Sequence, residues 1–178
     1  MDKDIAEMAR LRNGEASALD DVSTEVPPSF FVENRFIAST VNTKTFVLML
    51  AQRSPRSFIS GSEVNLKDVL QNYNRNEFHH VYPEAFLKGV GGFSSKQIYA
   101  LANFVFMKRV ENRELGGTAP SVYVAKMPGN KDEILRAALV PPTFTSDDYA
   151  AFLNQRSGVL ASYALDLTEQ SSAGKGGG

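Results

Sequence analysis

The spacing of apolar residues in the first part of the chain predicts short helices joined by polar segments. Apolar positions recur at helical intervals in residues 2–13 and stop at an Asn-Gly pair, which predicts a short amphipathic helix. Residues 15–29 are polar and contain two adjacent prolines, a composition typical of a linker. A second helix is predicted to be capped by Asn42-Thr43 and to end near the next proline. Residues 64–73 are predicted to form either a further short helix or an extended segment.

The central part of the chain alternates between short strand-like and short helical stretches. Strands are predicted where aromatic and β-branched residues cluster, and helices where a proline or a serine cap precedes a helical pattern. In chain order these are a strand at 77–81, a helix at 84–88, a helix at 96–102, a strand at 103–107 and a helix at 109–115. The order is therefore strand, strand, helix, with helical turns and a glycine-rich loop inserted between the strands.

The last third of the chain is predicted to be helical. One helix opens at Pro120 and continues through Lys126, and a second, over 131–139, stops at a Pro-Pro pair. Ser146 is expected to cap a long final helix that has two aspartates in its first turn. Residues 171–178 are rich in glycine and serine and predict a flexible tail. Together these patterns predict an α+β fold that is mostly helical.

Composition and charge exclude several kinds of site. The 178 residues include no cysteine, which excludes disulfides, thiolate nucleophiles and a cysteine-based structural zinc. No apolar run approaches the roughly 20 residues that span a bilayer, and the N-terminus lacks a signal pattern, so a cytoplasmic protein with no membrane contact is expected. The net charge of −1 argues against a general coat for nucleic acid. Residues 71–127 nevertheless carry seven Lys or Arg against four Glu.

The two histidines of the chain are adjacent, at His79 and His80, and two asparagines follow at Asn103 and Asn112. A neutral imidazole can take a proton from water, and a second imidazole with an amide oxygen can bind a divalent metal. Metal-assisted hydrolysis of a phosphodiester needs these groups. Because neighbouring side chains of a strand point to opposite faces, the strand would have to bend at Tyr82-Pro83 for both imidazoles to serve one site.

These residues and their spacing resemble the HNH endonucleases, also called ββα-metal or His-Me finger nucleases. The resemblance rests on His79-His80-x-x-Pro83, on Asn103, and on Asn112 nine residues later. It implies a short two-stranded antiparallel ββα-metal core surrounded by helices. It further implies that His80 is the general base, that Asn103 is the structural residue that braces the catalytic loop, and that His79 and Asn112 bind the metal.

The wider pattern, His-His-Val-Tyr-Pro followed by Ala-Asn-Phe-Val, Glu-Asn-Arg and Ala-Pro-Ser-Val-Tyr, is most similar to the C-terminal nuclease domain of GmrSD-type, modification-dependent restriction proteins. This resemblance implies a DNA endonuclease of an anti-phage restriction system. It also implies a separate NTPase or sensor domain as partner, since nothing here matches that domain. The expected organisation is an N-terminal helix and linker over 1–34, a nuclease domain over 35–170 with its core at 76–127 and a helical part at 128–170, and a tail at 171–178.

Four cations close to the motif are candidate contacts to substrate phosphates: Arg113, Lys108, Arg109 and Lys88. Arg113 is favoured because it adjoins a metal-binding candidate. An imidazole and amide site tolerates Mn²⁺ or Ni²⁺, while Mg²⁺ is the expected physiological ion and no structural zinc is expected. The glycines at 89–92 match neither the dinucleotide nor the P-loop pattern, so the sequence predicts no bound nucleotide cofactor.

Three classes of function remain open at this point. The first is a DNA endonuclease that nicks or cuts DNA, which the adjacent histidines and the asparagine spacing favour. The second is a helical domain that binds DNA or protein and has a vestigial nuclease site, which the modest charge permits. The third is a ribonuclease or toxin that uses the same chemistry. Taken singly, each histidine, asparagine or cation would be an ordinary packed or solvated residue.

Overall fold

The computed structural model describes residues 2–18, 25–65, 67, 69 and 77–173. These residues form helices around a two-stranded antiparallel sheet, so the prediction of a mostly helical α+β fold is confirmed. The segment predicted at 64–73 lies largely outside the described residues, and the end of the predicted tail, 174–178, lies wholly outside them. Within the described ranges, no helix has both the length and the apolar character that crossing a membrane would require.

Most of the α-helices are short, and the last is the longest. They are α1 (Asp2–Arg12), α2 (Pro28–Glu33), α3 (Val41–Ala51), α4 (Glu84–Val90), α5 (Ser95–Ile98), α6 (Arg109–Leu115), α7 (Pro120–Tyr123), α8 (Lys131–Ala137) and α9 (Tyr149–Ala173). The strands are β1 (Phe78–His80) and β2 (Phe104–Phe106), and short 3₁₀ segments lie at Leu101–Asn103, Val124–Lys126 and Pro142–Ser146. The helix predicted over 109–115 has the bounds expected, whereas those predicted over 96–102 and from Pro120 to Lys126 each split into a short α-helix and a 3₁₀ turn.

β1 and β2 form a hairpin whose connection, residues 81–103, contains α4 and α5. The opposed pairs are Phe78 with Phe106, His79 with Val105 and His80 with Phe104. Backbone bonding continues one residue beyond β1, since the N–H of Val81 donates to the carbonyl of Asn103 at 2.8 Å. The strand pair is therefore regular on both sides of the histidines.

One face of this hairpin is aromatic, because opposed residues of a strand pair share a face. Phe78 and Phe106 contact each other with ring centroids 4.8 Å apart. Phe36, from the segment after α2, covers the same face: its ring stacks on that of Phe104 at 4.2 Å and contacts that of Phe78 at 5.3 Å. The sheet is thus held by apolar packing as well as by its few backbone bonds.

Two helix starts differ from the predictions. Thr40 caps α3, since its hydroxyl accepts the backbone N–H three residues later, and Asn42 donates instead to the side chain of Asn34 at 2.7 Å. The carboxylate of Asp148 accepts an N–H of the first turn of α9, whereas Ser146 lies in the preceding 3₁₀ segment. Because Ser, Thr, Asp and Asn cap helices about equally well, the choice among neighbouring candidates depends on the path of the chain.

The segment predicted to be a linker, 15–29, becomes helical at its end. α2 begins at Pro28, where the missing proline N–H costs no hydrogen bond, and it buries Phe31. α2 packs against α9 and against the 3₁₀ segment before β2. The packed part of the fold therefore begins upstream of the boundary expected at residue 35. The apolar residues of α1, by contrast, remain exposed: Ile5, Met8 and Leu11.

Three tyrosine hydroxyls join the hairpin connection to the C-terminal half. Tyr82 donates to the carbonyl of Phe144 at 2.6 Å, Tyr123 to that of Val81 at 2.6 Å, and Tyr149 to that of Gln97 at 2.7 Å. Burial raises the pKa of each of these phenols above its usual value, so each remains a protonated donor. The C-terminal helices thereby position the loop that follows the histidines.

Arg156 of α9 is fully buried and connects three parts of the fold. Its guanidinium donates to the carbonyls of Ala102 (2.7 Å), Phe104 (2.9 Å), Ala138 (3.0 Å) and Leu139 (3.2 Å). Burial lowers the pKa of Arg156 to about 9, so the group remains charged at neutral pH. The two carbonyls at the end of α8 add the favourable charge of a helix C-terminus. Arg156 therefore holds the start of β2 against the end of α8.

We expect Arg156→Met to lower the free energy of unfolding by about 3–5 kcal/mol, because it leaves buried carbonyls without their donor. Urea denaturation followed by far-ultraviolet circular dichroism measures this change. Arg136→Met, at an exposed position of α8, is the matched control and should change stability by no more than about 0.5 kcal/mol. Equal stability of the two variants would contradict the role given to Arg156.

Candidate functional site

The regular strand pairing directs the two imidazoles to opposite faces of the hairpin. His80 lies on the aromatic face, where its ring is 4.3 Å from that of Phe104 and 5.1 Å from that of Tyr99. His79 is opposite Val105 and belongs to the other face. The bend at Tyr82-Pro83 comes after the paired residues. It therefore does not turn both imidazoles toward one side, as the sequence-based hypothesis required.

Burial dominates the electrostatics of His80. Loss of hydration lowers the pKa of His80 to about 4, against 6.5 for an ordinary histidine; the carboxylate of Glu84 partly offsets this, and His79 adds slightly to it. His80 is therefore neutral at pH 7 and able to accept a proton, although an imidazole with so low a pKa is a weak base. Its Nε2 is buried and has no hydrogen-bond partner among the described residues.

Asn103 has the hydrogen bonds expected of a loop brace. Its side chain is fully buried; the amide oxygen accepts the N–H of Tyr82 at 2.9 Å, and the amide nitrogen donates to the carbonyls of Tyr82 (3.1 Å) and Ile98 (3.0 Å). The amide thus joins the two ends of the hairpin connection immediately after the histidines. Both polar atoms of the Asn103 amide are thus bonded to backbone, and they order the chain between Tyr82 and Ile98.

Asn112 lies on α6, which follows β2 and packs beside β1. The buried side of α6 is formed by Glu111 and Leu115, and Asn112 is only partly buried. Its amide makes no side-chain hydrogen bond within the part of the chain that the structure describes. The amide oxygen is therefore available as a ligand, on the helix next to the strand that carries His79.

Ser57 and Glu111 fix the start of α6, and no role was predicted for either residue from the sequence. Both are buried; the Ser57 hydroxyl donates to the Glu111 carboxylate, and its oxygen accepts the N–H of Lys108 at 3.1 Å. The buried carboxylate also contributes to a raised pKa at Glu77, where burial is the larger cause. The sequence around Glu111, between Val110 and Asn112, gives no local signal of such burial.

The four predicted phosphate contacts fall into two groups. Arg109 and Arg113 are exposed on α6 and Lys108 precedes it, and none of the three forms an ion pair with a described residue. Lys88, on α4, is paired with Glu84 at 2.6 Å. Arg109 and Arg113 are therefore free to meet a phosphate, the charge of Lys108 is partly offset by Glu77, and Lys88 would first have to leave its carboxylate.

A second group of residues around His80 was missed from the sequence. The hydroxyl of Tyr99 donates to Glu84 at 2.6 Å, and the guanidinium of Arg35 lies 5.3 Å above the Tyr99 ring. The hydrogen bonds from Lys88 and then Tyr99 hold the pKa of Glu84 below its usual value. The carboxylate is thus ionised beside the aromatic wall of His80. Pro83-Glu84 at a helix start was the only local indication of this group.

The fit of a metal depends on His79 and Asn112. Among the described residues, no group of three or more histidine, aspartate or glutamate side chains could hold an ion. One imidazole and one unengaged amide oxygen, carried by the neighbouring elements β1 and α6, fit a divalent ion that takes its other ligands from water and phosphate. This donor set suits Mn²⁺ or Ni²⁺ better than it suits Mg²⁺, which prefers oxygen.

Comparison of this chain with protein-family models, with curated proteins and with solved structures gives no match. The resemblance to HNH nucleases therefore rests on the residues and the geometry described above.

The buried, neutral state of His80 predicts a specific dependence of stability on pH. The pKa of His80 is about 4 in the folded chain and 6.5 for an ordinary histidine, so between these values the unfolded chain binds the proton more tightly. The contribution of neutral His80 to the free energy of unfolding is therefore complete above pH 6.5 and is lost as the pH falls toward 4. The loss totals about 3 kcal/mol.

Urea denaturation in EDTA, repeated at several pH values across this window, measures the effect. Since carboxylates also titrate there, the comparison is with His80→Phe, which keeps an aromatic ring and removes the titrating group. We expect the stability of the variant to fall less steeply with acidification than that of the wild type. Parallel curves of stability against pH for the two proteins would refute the lowered pKa of His80.

Proposed function

We propose that this protein is a metal-dependent endonuclease of the HNH type that hydrolyses phosphodiester bonds in DNA. The observation that carries the proposal is the arrangement of β1, β2 and α6 around Asn103. The paired strands, the amide that braces their connection directly after the histidines, and the helix with an unengaged Asn112 beside β1 occur in the order that the motif requires.

His80 is the proton acceptor in this proposal. Its Nε2 takes the proton of the water that attacks phosphorus, and the bond between phosphorus and the leaving oxygen breaks. A divalent ion bound by His79 and Asn112 would supply positive charge to the phosphate and to the leaving oxygen, and this requires the bound substrate to draw the end of β1 out of its regular pairing so that both imidazoles reach one phosphate. Nε2 has no hydrogen-bond partner among the described residues, which supports a water as its partner, and contact with that water would raise the pKa of His80 toward a useful value.

The α6 cations define the side from which the phosphate approaches. Arg113 and Arg109 can donate forked hydrogen bonds to phosphate oxygens, and Lys108 adds a point charge. In this proposal these cations bind the DNA strand at the position where α6 lies beside the hairpin. By resemblance to GmrSD-type proteins, we further propose a role in restriction of foreign DNA, together with a separate NTPase or sensor domain.

Two observations favour a second candidate function, a helical domain that binds DNA or protein without cutting. His79 and His80 leave opposite faces of the hairpin, and the pKa of His80 is low for a base. DNA that is bound but stays intact during long incubation with Mg²⁺ and Mn²⁺ would support this alternative. Comparison of plasmid with RNA substrates separates a DNA endonuclease from a ribonuclease.

We expect His80→Ala to reduce nicking of supercoiled plasmid by about 10²- to 10⁴-fold, because the variant lacks the proton acceptor. The assay compares the wild type with the variant in Mg²⁺, Mn²⁺ and Ni²⁺, and circular dichroism verifies that both are folded. Cleavage by His80→Ala at the wild-type rate would exclude His80 as the base.

We expect Asn112→Ala to raise the metal concentration needed for half-maximal cleavage by at least about tenfold, since even outer-shell partners of a metal have effects of that size. Titration with Mn²⁺ at fixed plasmid concentration measures the shift. Asn154→Ala, an exposed asparagine on α9, is the matched control and should leave the titration unchanged. Superimposable titrations for the two variants would rule out Asn112 as a ligand.

A further inference from the structure

Arg35 is fixed next to the candidate site by backbone pairing. It forms an antiparallel bridge with Ala100, and the N–H of the following residue donates to the carbonyl of Tyr99 at 2.8 Å. On the other side, the N–H of Leu101 donates to the carbonyl of Asn34 at 2.9 Å. The position from which the Arg35 side chain extends is therefore set by the same segment that leads into β2.

The side chain of Arg35 is oriented by an aromatic ring. Its Cζ lies 5.3 Å from the centroid of Tyr99, and the rings of Tyr99 and His80 are 5.1 Å apart. These distances place the guanidinium within about 10 Å of the His80 ring. At about 3.4 Å of rise per nucleotide, this distance corresponds to about two to three nucleotides of one strand. A phosphate at His80 and its near neighbours along one strand fall within this range.

Charge distinguishes Arg35 from Lys88 of α4. Lys88 is neutralised by Glu84, and the second oxygen of that carboxylate accepts the Tyr99 hydroxyl. Arg35 is exposed and forms no ion pair with any described residue. A guanidinium that is stacked, exposed and without a counterion is suited to bind an anion from solvent.

We propose that Arg35, stacked on Tyr99, is a binding site for a phosphodiester group of the nucleic-acid strand, next to the phosphate at His80. The nucleic-acid strand then contacts Arg35 as well as the α6 cations. The guanidinium fork matches two phosphate oxygens, and its stacking on Tyr99 reduces the conformational freedom lost on binding. This inference rests on the proposed function for the identity of the ligand.

The test measures DNA binding without cleavage. A fluorescein-labelled duplex of about 20 base pairs is titrated with protein in EDTA, and the association constant is followed by anisotropy from about 50 to about 200 mM KCl. We expect Arg35→Gln to weaken binding about 3- to 10-fold and to lower the slope of log K against log salt by about 1. Arg35→Lys keeps the charge and should restore the slope, with a smaller loss of affinity.

Arg53→Gln is the matched control, since Arg53 also lies over a tyrosine ring, that of Tyr163, at 5.0 Å. This variant removes the same charge and the same kind of aromatic contact at Tyr163. Its slope of log K against log salt should equal that of the wild type. Equal slopes for Arg35→Gln, Arg53→Gln and wild type would overturn the phosphate site, as would a wild type that does not bind the duplex at the lowest salt concentration.

Plasmid nicking by the same preparations separates this inference from the proposed function. Nicking by the wild type together with a salt slope unaffected by Arg35→Gln would refute the Arg35 site alone. DNA binding that depends on Arg35, in a protein that never nicks plasmid with any of the three metals, would support the site and refute the endonuclease.

Discussion

The buried guanidinium of Arg156 is the contact on which the rest of the site depends. Two of its four carbonyl acceptors, Ala102 and Phe104, flank Asn103 directly. Arg156 therefore fixes the backbone on both sides of Asn103, and the Asn103 amide in turn fixes Tyr82 and Ile98. A buried carboxylate partner would have added a second desolvated charge, whereas carbonyls satisfy the guanidinium without one. The position of the backbone at the end of β1 thus depends on α9, the long C-terminal helix.

The packing that orders the hairpin also removes water from His80. Phe104 and Tyr99 line its ring, and the resulting loss of hydration is the largest cause of the lowered pKa of His80, to which His79 adds. A catalytic base needs the neutral form, which burial secures, and also sufficient basicity, which burial reduces. In the proposed function, binding of substrate with its water would relieve this conflict, because Nε2 would then gain a partner that the described protein residues do not provide.

Charged side chains also surround the hairpin. Arg109 and Arg113 of α6 are exposed, Glu84 pairs with Lys88, and Arg35 forms no ion pair with a described residue. Glu84 also orients Tyr99, and Tyr99 contacts both Arg35 and His80. One carboxylate therefore neutralises one cation, orients the ring beneath another and moderates the loss of basicity at His80.

Local sequence patterns were sufficient to predict the elements of the hairpin and of α6. Strand propensity, a proline at a helix start and glycines at a helix end act over a few residues, so they can be read from the chain alone. The tertiary structure decided which face of the hairpin His80 occupies, which neighbouring residue caps α3 and α9, and that Arg35 and Glu84 both contact Tyr99. It also decided the burial of Arg156, whose bond to Ala102 spans 54 residues. Contacts between residues so distant in sequence have no local signature, because they arise only when separately formed elements pack together.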